Sequence, residues 1–122
     1  MGVVNSYRDL IVWQKAMDLA AAMYRLTEFF PQKEQFGLTS QARRAAVSIA
    51  ANIAEGQGRG ATQDYIRFLR IARGSAQELE TLLLLMPRVG YLTNEAITPA
   101  IDLCGDITRM LAGLQRSLEA QG

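Results

Sequence analysis

The pattern of apolar and polar positions is clearest between residues 38 and 59, where it predicts one helix with two different faces. An apolar stripe recurs at helical spacing and consists of Leu38, Ala42, Ala45, Ala46, Ile49 and Ile53. A second arc is polar along its whole length and consists of Gln41, Arg44, Ser48, Asn52 and Glu55. Since the alanines keep this helix thin, we expect another backbone to approach it closely.

This polar arc has two interpretations. A solvated outer face is the commoner origin of a polar helix face. The arc is not a mixture of Lys and Glu, however, and serine and asparagine favour caps and turns over helix interiors. We therefore interpret it as a partly buried polar seam that bonds to a neighbouring element, with Arg44 and Glu55 near its ends. The sequence leaves open whether this seam stabilises the subunit or binds a ligand.

A first helix is predicted before this one, over about residues 7–29. It follows a short disordered lead, residues 1–6, in which Ser6 or Asn5 is the expected N-cap. Pro31 is expected to end the helix, because proline disfavours the helical state of the residue before it. Its apolar arc is wide, which predicts contacts with more than one neighbour.

Two further helices are predicted after residue 60. Thr62 is the expected cap of the third helix, which runs to about Met86, where Pro87 ends or kinks it. The fourth begins either at Thr93 or at Thr98, which is followed by a proline in the favoured first position.

Glycines and one aromatic residue complete the local predictions. Gly56 is expected to end the second helix in a left-handed conformation, and residues 56–60 to form a turn rather than a phosphate-binding loop. Gly74, inside the third helix, is expected to allow close approach to the alanines of the second. Phe36 is expected to pack back onto the core.

Four amphipathic helices with short connections predict an all-α fold, an antiparallel up-down-up-down four-helix bundle. At 122 residues the chain is expected to form a single domain, residues 1–122. Apolar positions exceed one stripe on the first and third helices, and this excess predicts a subunit interface.

Charge is unevenly distributed, although the formal net charge is only +1. Residues 43–75 carry a net charge of +4, and their cations are all arginines: Arg43, Arg44, Arg59, Arg67, Arg70 and Arg73. Residues 76–122 carry a net charge of −3. Arginine suits phosphate and carboxylate partners, so the basic region indicates either nucleic-acid binding or pairing between the two halves of the chain.

Several kinds of chemistry are not expected from this composition. The chain has no histidine and one cysteine, Cys104, so we expect no metal site, no disulfide and no His-based catalysis. Ser48 has no base beside it, and we predict neither an enzymatic activity nor a cofactor. The sequence shows neither the pattern of a signal peptide nor an apolar stretch long enough to span a membrane, so a cytoplasmic location is expected.

Several segments of the chain resemble one known protein family. They include residues 10–16, Leu-Ile-Val-Trp-Gln-Lys-Ala, residues 43–49, Arg-Arg-Ala-Ala-Val-Ser-Ile, and residues 52–56, Asn-Ile-Ala-Glu-Gly. Residues 36–41, 68–69, 71–75, 78–80 and 90–92, together with Arg59, extend the match over nearly the whole chain. The chain thus resembles the four-helix-bundle proteins of the 23S rRNA intervening-sequence type.

This resemblance implies a homopentameric ring without enzymatic activity. Some members are encoded within insertions in 23S rRNA genes, and a related accessory protein of diversity-generating retroelements binds nucleic acid and a reverse transcriptase through a basic surface. The corresponding residues of this chain are Gln41, Arg43, Arg44, Ser48, Asn52, Glu55 and Arg59.

Two functions follow as hypotheses. The first is a non-catalytic, oligomeric accessory protein that binds RNA or DNA, and possible protein partners, through the six arginines of residues 43–75. The second is a structural or protein-interaction scaffold without nucleic-acid binding. Assembly that does not depend on salt, without affinity for nucleic acid, would favour the second.

Overall fold

A computed structural model describes residues 6–121 of the chain. Four long helices account for most of them: α1 Ile11–Leu26, α2 Leu38–Gly58, α3 Thr62–Arg88 and α4 Asn94–Gln121. A 3-10 turn, Tyr7–Asp9, precedes α1, and Ser6 accepts a hydrogen bond from the amide of Arg8 at its start. The expected all-α fold of four helices is confirmed. Of the predicted disordered lead, residues 1–5, including the alternative cap Asn5, lie outside the described residues.

The four helices form a closed ring of neighbours. α2 lies between α1 and α3, and α4 packs against both α3 and α1. Adjacent helices run in opposite directions. The end of α2 at Gly56 meets the beginning of α3 at Phe68. The beginning of α3 at Arg70 likewise meets the end of α4 at Glu119. The end of α1 meets the beginnings of α2 and of α4. This is the predicted up-down-up-down bundle.

One hydrophobic core fills the centre of this bundle, and each helix contributes one face to it. Its largest fully buried apolar side chains include Leu19, Met23, Ile49, Ile53, Leu69, Leu79, Leu83, Ile107 and Leu111. Each such side chain stabilises the fold by about 1.5–3 kcal/mol relative to an exposed position. Within the described residues, no helix is long and apolar enough to span a membrane.

The helix ends differ from the predictions at several places. α1 ends at Leu26, well before Pro31, and α3 continues through Pro87 to Arg88. Pro87 lies in the last turn of α3, so the hydrogen bond that its missing amide removes and the clash of its ring affect only the end of the helix. Thr62 is the first residue of α3 and does not cap it. Thr93 does cap α4, since its Oγ1 accepts a 3.1 Å hydrogen bond from the amide of Ala96.

Gly56 lies inside α2 and does not end it, so that prediction is wrong. The helix continues to Gly58, and the positive φ of the connection belongs to Gly60, at 82°. A Cβ on Gly56 would lie 2.8 Å from Cβ of Phe68 and 3.1 Å from Cδ1 of Tyr65. Glycine is therefore required here by the close approach of α3 and not by backbone conformation.

Two other local predictions are also wrong. Gly74 is exposed, and a Cβ there would meet nothing within 4 Å, so it does not face the alanines of α2. Phe36 is 89 % exposed and does not pack on the core. Phe30 packs on the core instead, and its ring contacts that of Tyr91 with centroids 5.2 Å apart.

Candidate nucleic-acid interface

A chain of hydrogen bonds joins α2 to α3 in the middle of the predicted polar arc. Asn52 Nδ2 donates to the backbone oxygen of Ser48 at 2.8 Å and to its Oγ at 3.0 Å. Ser48 Oγ lies 2.9 Å from Oγ of Ser75, and either hydroxyl can donate in this bond. All three side chains are half-buried, so the bonds satisfy groups that water reaches only in part.

Next to this chain, a small polar cleft opens between α2 and α3. It has a volume of about 200 Å³, and its polar lining residues are Gln41, Arg44, Ser48, Ser75 and Glu78. Arg44 and Glu78 are both exposed, yet they form no ion pair with each other or with any described residue. The cleft thus contains a cation, a carboxylate, an amide and two hydroxyls with spare hydrogen-bonding capacity.

At one end of the same helix pair, two arginines share one aromatic ring. The guanidinium carbons of Arg59 and Arg67 lie 5.1 and 4.5 Å from the ring centroid of Phe68. Each also pairs with a carboxylate close in sequence: Arg59 with Glu55 at 3.0 Å and Arg67 with Asp64 at 3.8 Å. Their side chains remain 46 % and 56 % exposed, so both guanidinium groups are open to a ligand.

Arg70 and Arg73 are directed toward α4. Arg70 lies 3.6 Å from the carboxylate of Glu119, and Arg73 donates a 3.1 Å hydrogen bond to Oε1 of Gln115. Both line a second cleft of about 200 Å³, between α3 and α4. Glu119, the partner of Arg70 in this ion pair, lies within α4, which continues to Gln121.

Arg43 packs toward α1, away from the other five arginines of this group. Its Nε donates a 2.9 Å hydrogen bond to Oγ1 of the buried Thr27, and its guanidinium carbon lies 4.5 Å from the ring centroid of Tyr24. These contacts tie the first turns of α2 to the end of α1.

The structure therefore brings three of the six predicted arginines, Arg44, Arg59 and Arg67, to the surface where α2 and α3 meet, which we call the α2/α3 groove. Arg44 lies on the polar face of α2. Arg59 is the residue directly after this helix, and it continues the polar arc four positions beyond Glu55. Fifteen residues at the helical rise separate Arg44 from Arg59 by about 22 Å. Sequence reasoning missed Ser75 and Glu78, although a serine beside a glycine in the middle of α3 was a signal that this face is unusual.

An apolar groove lies on the other side of α2, against α1. It has a volume of about 470 Å³ and is lined chiefly by Tyr7, Trp13, Met17, Tyr24, Val47 and alanines of both helices. Met17 and Val47 are each nearly half exposed. Part of the wide apolar arc predicted for α1 therefore remains uncovered in the single subunit.

The one cysteine does not contribute to any of these surfaces. Cys104 is buried in α4, and burial, aided by the negative charge of Glu80, raises the pKa of its thiol to about 12. It is therefore a protonated core residue at neutral pH.

The sequence profile of the 23S rRNA-intervening sequence proteins matches residues 8–113, which is most of the chain. The chain belongs to this family. The name of the family refers to 23S rRNA and to no enzymatic reaction. A comparison with curated proteins gave no match.

A solved structure supports the assignment to the 23S rRNA-intervening sequence proteins. The chain is similar to a protein of the S23 ribosomal protein family from Bacteroides thetaiotaomicron, which is described as a protein of unknown function. The two chains are 28 % identical and superpose with a TM-score of 0.80, over 86 % of this chain and 98 % of the other. The likeness extends over the whole bundle and not only over one helix pair.

Proposed function

We propose that this protein is a non-catalytic, oligomeric helical bundle that binds nucleic acid through the arginines of the α2/α3 groove. The observation that carries this proposal is the pair of exposed guanidinium groups, of Arg59 and Arg67, held on one Phe68 ring. Arg44 lies on the same side of α2, about 22 Å away along the helix. Arg70 and Arg73 extend the basic surface around α3.

The contacts of the two arginines suit phosphate binding. Stacking on Phe68 orients both planar groups before any ligand arrives, which reduces the entropy lost on binding. Their ion pairs with Glu55 and Asp64 are exposed and local, and such pairs contribute only about 0–1 kcal/mol each. A phosphate can therefore replace either carboxylate at small cost.

Assembly would multiply this surface. The apolar groove between α1 and α2 exposes Met17, Tyr24 and Val47, and apolar area of this kind is what subunit contacts cover. We propose a homo-oligomer built on this groove, and a ring of five copies is the form expected from the family resemblance. Repeating the +4 region of each copy around a ring would create a strong local field for nucleic acid.

A protein-interaction scaffold is the second candidate. It is favoured by the arginines with partners inside the subunit, since Arg70 pairs with Glu119, Arg73 with Gln115 and Arg43 with Thr27. In this alternative the apolar groove binds another protein or another copy, and the basic surface has no ligand. Both candidates are cytoplasmic proteins without enzymatic activity or cofactor.

A binding experiment separates the two candidates. Structured RNA, duplex DNA and single-stranded DNA would be titrated with the protein at low salt, with the oligomer mass measured in the same buffer. The nucleic-acid proposal predicts binding that the double variant Arg59→Gln/Arg67→Gln weakens, while Arg88→Gln, which removes an exposed arginine at the other end of α3, does not. An intact oligomer without affinity for any strand would contradict it and leave the scaffold.

A further inference from the structure

We propose that the cleft between Arg44 and Glu78 binds a ribose–phosphate unit of an RNA chain and distinguishes RNA from DNA. This inference rests on the proposed nucleic-acid binding and names the class of strand. It concerns a different part of the α2/α3 groove from the arginine pair at Phe68.

The cationic side of the cleft suits a phosphate. The guanidinium of Arg44 has no partner among the described residues, and guanidinium groups bind phosphate oxygens through two hydrogen bonds. A second donor comes from the serine pair. Because the hydroxyls of Ser48 and Ser75 share one hydrogen in their mutual bond, one O–H hydrogen remains without a partner. The amide of Asn52 donates to Ser48 and polarises this hydroxyl chain in the same direction.

Glu78 determines the rest of the ligand. Glu55 and Asp64 pair with arginines that a phosphate can take over, whereas Glu78 has no cationic partner among the described residues and would remain as an uncompensated charge that repels a bare phosphate. A carboxylate is favourable there only if the ligand also presents a donor. In an RNA chain that donor is the 2′-hydroxyl, which DNA lacks and which allows proteins to tell the two apart. Gln41, with both a donor and an acceptor, suits the same hydroxyl.

The size and position of the cleft favour a chain over a free nucleotide. Its volume of about 200 Å³ lies below the range of about 300–1,000 Å³ found for pockets that enclose a whole small ligand. It is open to solvent, and Arg44 lies on the same polar face of α2 that Arg59 follows. A strand that contacts Arg59 and Arg67 and follows the polar face of α2 therefore reaches Arg44 about 22 Å further on.

The test compares RNA and DNA single strands of the same sequence, without uracil or thymine, so that only the 2′-hydroxyl differs. We expect the wild-type protein to bind the RNA about tenfold more tightly, as one hydrogen bond to a charged group provides. The variant Glu78→Ala should lose this preference by weakening RNA binding. If Glu78 acted only through its charge, Glu78→Ala would instead strengthen the binding of both RNA and DNA, because it removes a negative charge that repels phosphates.

Glu28→Ala is the matched control, because it removes the same charge from an exposed position outside the cleft and should leave the RNA preference unchanged. Equal wild-type affinity for the two strands, or tighter RNA binding by Glu78→Ala, would overturn the ribose site and leave the proposed function intact. A free ribonucleoside monophosphate that competes as strongly as the RNA would overturn the assignment to a chain. Failure of both strands to bind at low salt would instead contradict the proposed function itself.

Discussion

Gly56 packs directly against the side chain of Phe68, since a Cβ on Gly56 would lie only 2.8 Å from Cβ of Phe68. This contact sets the spacing of α2 and α3 at one end of the bundle. It also places the Phe68 ring where Arg59 and Arg67 both reach it. Further along the same helix pair, Ser48 and Ser75 come within 2.9 Å of each other. One glycine thus links helix packing to both parts of the candidate interface.

The variant Gly56→Ala should therefore destabilise the protein. Overpacking in a tight contact costs about 1–3 kcal/mol, against a gain of about 1 kcal/mol in helix propensity. Gly74→Ala is the matched control, because Gly74 is helical with open space around it, and it should stabilise by about 0.5–1 kcal/mol. Urea unfolding midpoints of the two variants measure the difference. Equal shifts in the same direction would show that Gly56 is not needed for close approach.

The error about Gly56 shows what the sequence does not contain. A glycine that ends a helix and a glycine that admits a neighbouring helix look the same in the sequence, and only the packing partner distinguishes them. The apolar stripe of α2 was predictable, because its apolar residues recur at helical spacing and therefore lie on one face of the helix. The partner residue Phe68, twelve positions away on α3, was recognisable only as a member of a core stripe.

Arg43 should matter for stability more than for binding. It holds the buried Thr27 and stacks on Tyr24, so Arg43→Ala should lower the free energy of unfolding by about 1–2 kcal/mol. Arg59→Ala removes only an exposed pair and a ring contact, and its effect on the free energy of unfolding should be below about 1 kcal/mol. Chemical unfolding of both variants tests this ranking, and the reverse order would refute it.

Stability should also depend on Glu34, whose side chain joins the two connections at one end of the bundle. Its carboxylate accepts hydrogen bonds from the amide of Leu38 at 3.1 Å and from the hydroxyl of Tyr91 at 2.8 Å. These bonds, the backbone one first, lower the pKa of Glu34 from its ordinary value of 4.5, and the positive charge of Lys33 acts in the same direction. The carboxylate in turn raises the pKa of Tyr91.

A carboxylate whose pKa is lower in the folded state stabilises the protein above its unfolded pKa. That contribution is lost as the pH falls through the folded pKa. Glu34→Gln should therefore be less stable than the wild type at neutral pH, and the difference should vanish in acid below the folded pKa. Unfolding midpoints across this pH range provide the measurement, with Glu28→Gln as the exposed control. A difference that persists unchanged into acid would exclude this linkage.

The proposed homo-oligomer would be built on the apolar groove between α1 and α2. Met17→Glu places a charge on a side chain that is 45 % exposed in the single subunit, so it should preserve the fold and shift the oligomer toward monomer. Leu84→Glu, on an exposed position of α3 outside the groove, tests the apolar excess of the third helix, which is the competing interface predicted from the sequence. Light scattering measures the mass, and far-UV circular dichroism verifies the helices. If Leu84→Glu dissociates the protein and Met17→Glu does not, the interface lies elsewhere.

The candidate interface was only partly accessible from the sequence. The polar face of α2 was visible because Ser48 and Asn52 are unusual inside a helix. Glu78 belongs to the segments that resemble the family, but the sequence did not predict that it shares a cleft with Arg44, because that depends on the register of α2 against α3. Arg43 and Arg44 are adjacent in sequence, but the helix rotates by about 100° per residue, so Arg43 packs toward α1 and Arg44 lines the cleft between α2 and α3.

The most direct test of nucleic-acid binding by the α2/α3 groove is the salt dependence of single-strand affinity. The logarithm of the binding constant should fall linearly with the logarithm of the salt concentration, by about 0.7 for each phosphate contact. The double variant Arg59→Gln/Arg67→Gln should reduce that slope by about 1.4, while Arg88→Gln leaves it unchanged. A slope that the double variant does not alter, or the absence of binding at low salt, would contradict the account.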